Sequence, residues 1–163
     1  DLTEGKSNFF KNTGRPKDDP KYKWASGYMD LTNDPLYPFG FGLSYTSFSY
    51  SDIRLSNTQM KMNDSITISV TVKNTGRYTG EEVVQLYIRD LVGSVTRPVK
   101  ELKGFRKVLI KTGESKEVTF TLRSSDLAFY TKDMTFKAEP GDFKVFVGTN
   151  SVDYREASFT LID

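Results

Sequence analysis

The side chains able to do chemistry are few in kind. The 163-residue chain has no cysteine and no histidine. Thiolate catalysis, disulfides, a Ser-His-Asp triad and any His-ligated metal site are therefore excluded. Carboxylates remain. A pair working as acid and base across a cleft stands about 5 to 9.5 Å apart on facing elements. Glu81 and Glu82 are adjacent, so a strand points them to opposite faces. Glu139 and Asp142 flank Pro140-Gly141, where an acidic residue serves the turn backbone. Asp18-Asp19 precedes Pro20 in a broken stretch. Asp126 lies in Ser124-Ser125-Asp126-Leu127, which reads as one helical turn with a serine cap. No glycine-rich phosphate loop and no regularly spaced acidic Ca²⁺ loop is present. Asn63-Asp64-Ser65 is a glycosylation acceptor pattern, meaningful only in a eukaryotic secretory pathway. No catalytic residue, metal ligand or cofactor is assigned.

The charge is nearly balanced, 23 basic against 21 acidic residues, which gives no electrostatic case for nucleic acid or a membrane surface. No apolar run approaches the roughly 18 to 20 residues of a membrane span. The first residues, DLTEGKSNFF, lack the basic-then-apolar pattern of a signal peptide. The chain begins abruptly, as an excised piece would.

The elements that would position these groups are strands. Phe48, Tyr50, Ile53 and Leu55 make a first strand with a slip of register, read as a bulge at Ser51-Asp52. Ile66, Ile68, Val70 and Val72 alternate strictly with polar residues, as a half-buried strand does. Asn74-Thr75-Gly76 ends it with turn chemistry. Residues 82–89 are apolar on both faces: Val84, Leu86 and Ile88 should face the core, while Val83 and Tyr87 need a second cover. From Arg97 to Lys107 five basic residues meet only Glu101, which reads as a charged outer face over an apolar inner one. Val118, Phe120 and Leu122 alternate, as do Phe143, Val145 and Val147, and then Ala157, Phe159 and Leu161. About seven short strands with no long helical period predict an all-β fold, an antiparallel immunoglobulin-like β-sandwich over residues 46–163.

Residues 1–45 read differently, as an irregular extension. Glycines and prolines break residues 1–35, and Trp24 and Tyr28 stand out in a polar surround. LYPFGFGLSY, residues 36–45, sets Tyr37, Phe39, Phe41 and Tyr45 around Pro38, Gly40 and Gly42. Proline and two glycines forbid a helix, and the rings carry large apolar area. Such a segment either seals one end of its own domain or joins two domains. The domain-interface candidates are Trp24, Tyr28, Tyr37, Phe39, Phe41, Tyr45, Val83 and Tyr87.

Taken in order, these motifs carry a resemblance. LYPFGFGLSY, the Asn74-Thr75-Gly76 turn, GEEVVQLYIRD from Gly80, RPVKELKGF from Arg97, TGES from Thr112 and EPGDFKVFVG from Glu139 resemble the C-terminal part of bacterial β-glucosidases of glycoside hydrolase family 3. Asn12 to Pro16 and Ser26 to Asp30 look like the linker leaving the preceding α/β domain. The resemblance implies a fibronectin type III-like sandwich at 46–163 and a linker at 1–45. It implies a retaining parent enzyme whose catalytic carboxylates lie in other domains, so the chain itself is expected to be inactive. The implied partners are the catalytic domains of the same parent chain, braced by the sandwich, which also shapes the rim of the substrate cleft in some relatives. A periplasmic or secreted location is implied too. Cut from its neighbour, the linker is a candidate for artificial self-association. A carbohydrate-binding or protein-interaction module is the alternative, motivated by nine tyrosines and Trp24.

Overall fold

The computed structural model describes residues 35–163; Trp24, Tyr28 and the first part of the expected linker lie outside them. The chain divides into two units, Asp1–Pro38 and Phe39–Asp163, upstream of the boundary expected at 45/46. The second unit is described below.

Two sheets face each other. In one, β4 (Ser65–Asn74) is flanked by β1 (Phe48–Tyr50) and β2 (Arg54–Leu55) along one edge and by β7 (Ser115–Arg123) along the other. The other runs β3 (Gln59–Lys61), β11 (Tyr154–Ile162), β10 (Gly141–Gly148), β5 (Gly80–Asp90), β6 (Glu101–Ile110). Every pairing is antiparallel except β3 with β11. The core fills the space between the sheets with the alternating residues the sequence marks: Ile66, Ile68, Val70 and Val72 from β4 meet Val84, Leu86 and Ile88 from β5. Phe143 and Phe159 stack at 5.4 Å inside it.

The slip expected at Ser51-Asp52 is present. Tyr50 pairs with Val72 but Arg54 pairs with Ser69, so one extra residue bulges between β1 and β2. Two elements were not foreseen. Met60, on the short β3, is fully buried, and β8 (Phe129–Tyr130) pairs with β9 (Phe136–Lys137) as a small hairpin. Both are too brief to show a period. The turn at Ser124–Leu127 is helical, of the 3-10 kind, but serine does not cap it. The Asp126 carboxylate accepts the Arg123 N–H at 2.8 Å, while the Ser124 hydroxyl donates to the Met62 carbonyl.

Strand β6 departs from its expected polarity. Leu86 pairs with Gly104 but Tyr87 with Leu102, so Lys103 is an extra residue on β6. A bulge of one residue lets Leu102 and Phe105, three apart in sequence, share one face. That face is the outside of the sheet, with Phe105 66 % exposed and Leu109 beside it. The outer surface here is apolar, where a charged one was expected.

Candidate functional site: an apolar groove on the outer sheet face

On β5 the residues with odd numbers point outward, and each draws a neighbour from β6: Glu81 opposite Leu109, Val83 opposite Lys107, Gln85 opposite Phe105, Tyr87 opposite Leu102. Across the other edge, Phe146 of β10 lies opposite Tyr87. The second cover that Val83 and Tyr87 require divides between them. Tyr87 is only 2 % exposed, whereas Val83 remains 39 % exposed.

Tyr87 is covered from within this unit. The ring of Phe39 meets it edge-on, centroids 6.4 Å apart, and the Phe39 carbonyl accepts the Ser151 N–H at 3.0 Å. Gly40 follows at φ +80, with no room for a side chain: a Cβ there would overlap the Gln85 amide and lie 2.7 Å from the Tyr87 hydroxyl. The Gln85 Nε2 donates to the carbonyls of Gly40 (2.9 Å) and Thr149 (2.5 Å), and its Oε1 accepts the Tyr87 O–H at 2.5 Å. One amide thus pins the incoming segment to the sheet and to the β10–β11 turn, and three of its four hydrogen-bonding capacities are used. Burial pushes the Tyr87 phenol up from its ordinary range, so it stays a donor. Phe146 is sealed by Tyr154, edge-on at 4.8 Å, and by the Lys100 ammonium, 4.9 Å from its centroid.

The pinned segment leaves a groove of about 420 Å³ beside it. Phe39, Phe41 and Leu43 line one side; Val83, Leu102 and Phe105 line the other. Of the interface candidates, Phe39, Phe41 and Val83 meet here, and Tyr87 lies beneath Phe39 with no surface to offer. Tyr45 is exposed without lining the groove, and Tyr37 is exposed in the other unit. Sequence reading missed Leu102, Phe105 and Leu109 as outer-face residues. The signal was the β6 bulge, which only pairing reveals.

Among the described residues, the carboxylates weighed for chemistry are engaged in the fold. Glu81 pairs with Lys107 at 2.5 Å. Glu82 turns inward, where the Tyr50 hydroxyl donates to it at 2.6 Å. Glu139 accepts the Ser94 N–H at 2.9 Å, and Asp142 the Thr160 hydroxyl at 2.7 Å. Asp18 and Asp19 lie outside the described residues. Among the described residues no group of acidic side chains is arranged to hold a metal ion.

Comparison with known proteins gives this architecture its relatives. The fibronectin type III-like domain family matches residues 82–151. A periplasmic beta-glucosidase of Salmonella typhimurium is 47 % identical over 93 % of this chain, and a putative beta-xylosidase of Formosa agariphila is 49 % identical over 85 %. A crystal structure of a beta-glucosidase from Listeria innocua in complex with glucose superimposes with a TM-score of 0.81 at 39 % identity, covering 93 % of this chain and 21 % of that one. The chain spans about a fifth of the length of the curated relatives it matches, 20 % of the Salmonella protein and 18 % of the Formosa one.

Proposed function

We propose that this chain, which belongs with the fibronectin type III-like domains of glycoside hydrolase family 3 β-glucosidases, is the non-catalytic C-terminal brace of such an enzyme. The parent hydrolyses terminal β-D-glucosyl residues, and the sandwich holds its catalytic domains in place. One observation carries this reading: a sandwich with a complete core keeps an apolar outer face. Phe105, Leu109, Val83 and Leu102 are all more than a third exposed, and a contiguous patch of that kind marks an interaction surface. The periplasmic name of the Salmonella relative supports an extracytoplasmic parent.

The test is made in the full-length enzyme. Removing residues 39–163 is expected to lower the unfolding midpoint of the catalytic region. Turnover of a chromogenic β-glucoside, measured well below that midpoint, is expected to persist. A truncated enzyme that melts with the intact one overturns the brace, and turnover by the 163-residue chain alone overturns its non-catalytic character.

A further inference from the structure

The groove beside Val83 is specific enough to say what fills it. We propose that it is an insertion pocket for one bulky uncharged side chain, aromatic or branched aliphatic, presented by the part of the parent polypeptide outside this chain. This rests on the bracing reading and narrows it to a single contact.

By volume alone the occupant is undecided. The groove falls within the roughly 300–1,000 Å³ of clefts that accept a small molecule, so a sugar unit and a protein side chain both fit. Chemistry separates them. A sugar is recognised by donors and acceptors that converge on it, and the polar groups around this groove face other partners. Glu81 is held by Lys107. The Gln85 amide serves Gly40, Thr149 and Tyr87. The Thr149 hydroxyl accepts the Asn150 amide at 3.0 Å, and the Ser44 hydroxyl accepts the Thr46 N–H at 3.3 Å. The groove therefore rewards burial of carbon, about 25 cal/mol for each Å² removed from water, more than it rewards a hydroxyl.

The source of the occupant follows from length. The matched relatives are about five times as long as this chain, which covers 20 % of the Salmonella protein, so most of the parent's surface lies outside it. The groove is also shaped in advance. Gly40 fits only with no side chain, and the Gln85 amide fixes the wall carrying Phe39. A preorganised pocket gives up little ordering entropy when a side chain enters.

Filling the groove from its own wall tests this. In Val83→Phe the added ring occupies the groove from its floor. The 163-residue chain is expected to melt at or above the wild-type midpoint, because apolar space is filled. The full-length enzyme with the same change is expected to lose about 1 °C from its midpoint, because the loss of one contact is spread over the unfolding entropy of a chain of several hundred residues. An unchanged full-length midpoint overturns the insertion pocket; if removal of residues 39–163 still destabilises the enzyme, the brace survives and only this contact is lost. Titration of the 163-residue chain with cello-oligosaccharides makes a second arm. Heat that Val83→Phe abolishes overturns the proposal in favour of a sugar site. A full-length dimer that the substitution splits without shifting the midpoint overturns it in favour of a second copy.

Discussion

The Gln85 side chain donates to the main-chain carbonyl of Gly40 at 2.9 Å across 45 residues of sequence. That bond decides where the domain begins. Residues 39–45 read as linker in the sequence, yet Gly40 is bound into the sheet by an amide from the centre of β5. The domain edge is therefore an ordered wall, and Phe39 is held over Tyr87.

Breaking the latch should cost stability in the isolated chain. In Gly40→Ala a Cβ meets the Gln85 amide and the backbone keeps φ +80, a left-handed conformation that costs a non-glycine residue about 1–3 kcal/mol. Gln85→Leu leaves the Gly40 and Thr149 carbonyls without their donor, again about 1–3 kcal/mol where they stay dry. Urea unfolding of each variant measures this. Because both changes strike one network, the double variant should lose less than the sum of the two. Strict additivity would show that the two residues do not act together.

Asn74 is a second buried amide, and every capacity of it is used. Its Nδ2 donates to the carbonyls of Tyr78 (2.7 Å) and Ile110 (3.0 Å); its Oδ1 accepts from the Thr46 hydroxyl (2.8 Å) and the Gly76 N–H (3.0 Å). It ties the end of β4 to the turn, to the approach to β1 and to the end of β6. Asn74→Ala should cost about 2–4 kcal/mol by stranding several groups at once. Asn74→Asp should be nearly as costly, since a carboxylate cannot donate to the two carbonyls. A shift under half a kcal/mol in either variant would mean that water replaces the side chain.

Much of the fold was legible because burial on one face writes itself as alternation. Ile66, Ile68, Val70 and Val72 could only be one strand in one register, and β5, β7, β10 and β11 followed by the same rule. Asn74 was readable as a turn residue, though its reach to Ile110 was not. What stayed hidden depends on pairing between distant segments. Lys103 is an ordinary lysine until its opposite number on β5 is known, and only then do Leu102 and Phe105 share a face. The groove is similar: Phe39, Phe41 and Val83 were legible as apolar residues wanting cover, but the wall they form is set by Gln85, a polar residue with no local signature.

Glu82 gives a pH dependence. It is a carboxyl at the inner face with the Tyr50 hydroxyl as its partner at 2.6 Å, and it takes part in none of the ion pairs among the described residues. Burial pushes it above the ordinary glutamate value of 4.5, the Tyr50 hydrogen bond opposes this, and the negative charge of Asp153 adds to the rise. Burial and the neighbouring carboxylate push the Tyr50 phenol up as well, so it remains a donor. The folded state then binds the proton more tightly than the unfolded state. The contribution of Glu82 to stability is full below 4.5 and is lost as pH rises through the higher folded value. In Glu82→Gln the side chain stays neutral and still accepts from Tyr50. The wild-type chain should lose stability relative to this variant as pH is raised from 4.5 to 8, read by urea unfolding at each pH. Parallel curves over that range would show that Glu82 titrates as it does in the unfolded chain.

The last expectation concerns the chain on its own. With its outer face exposed, it carries Phe105, Leu109, Val83 and Leu102 on one sheet, next to the edge of β6, which pairs with no further strand among the described residues. An apolar face beside an open strand edge favours pairing with another copy, and Lys107 on the same face opposes it only in part because Glu81 neutralises it. Sedimentation velocity of the 163-residue chain should therefore show an average coefficient that climbs with concentration. Phe105→Ser together with Leu109→Ser should hold it at the monomer value, at little cost in stability because both side chains are already more than half exposed. If the double variant associates as the parent chain does, the contact lies elsewhere, with the rings of residues 36–45 the next place to substitute. A wild-type chain that stays monomeric at every concentration would show that the outer face is not adhesive on its own.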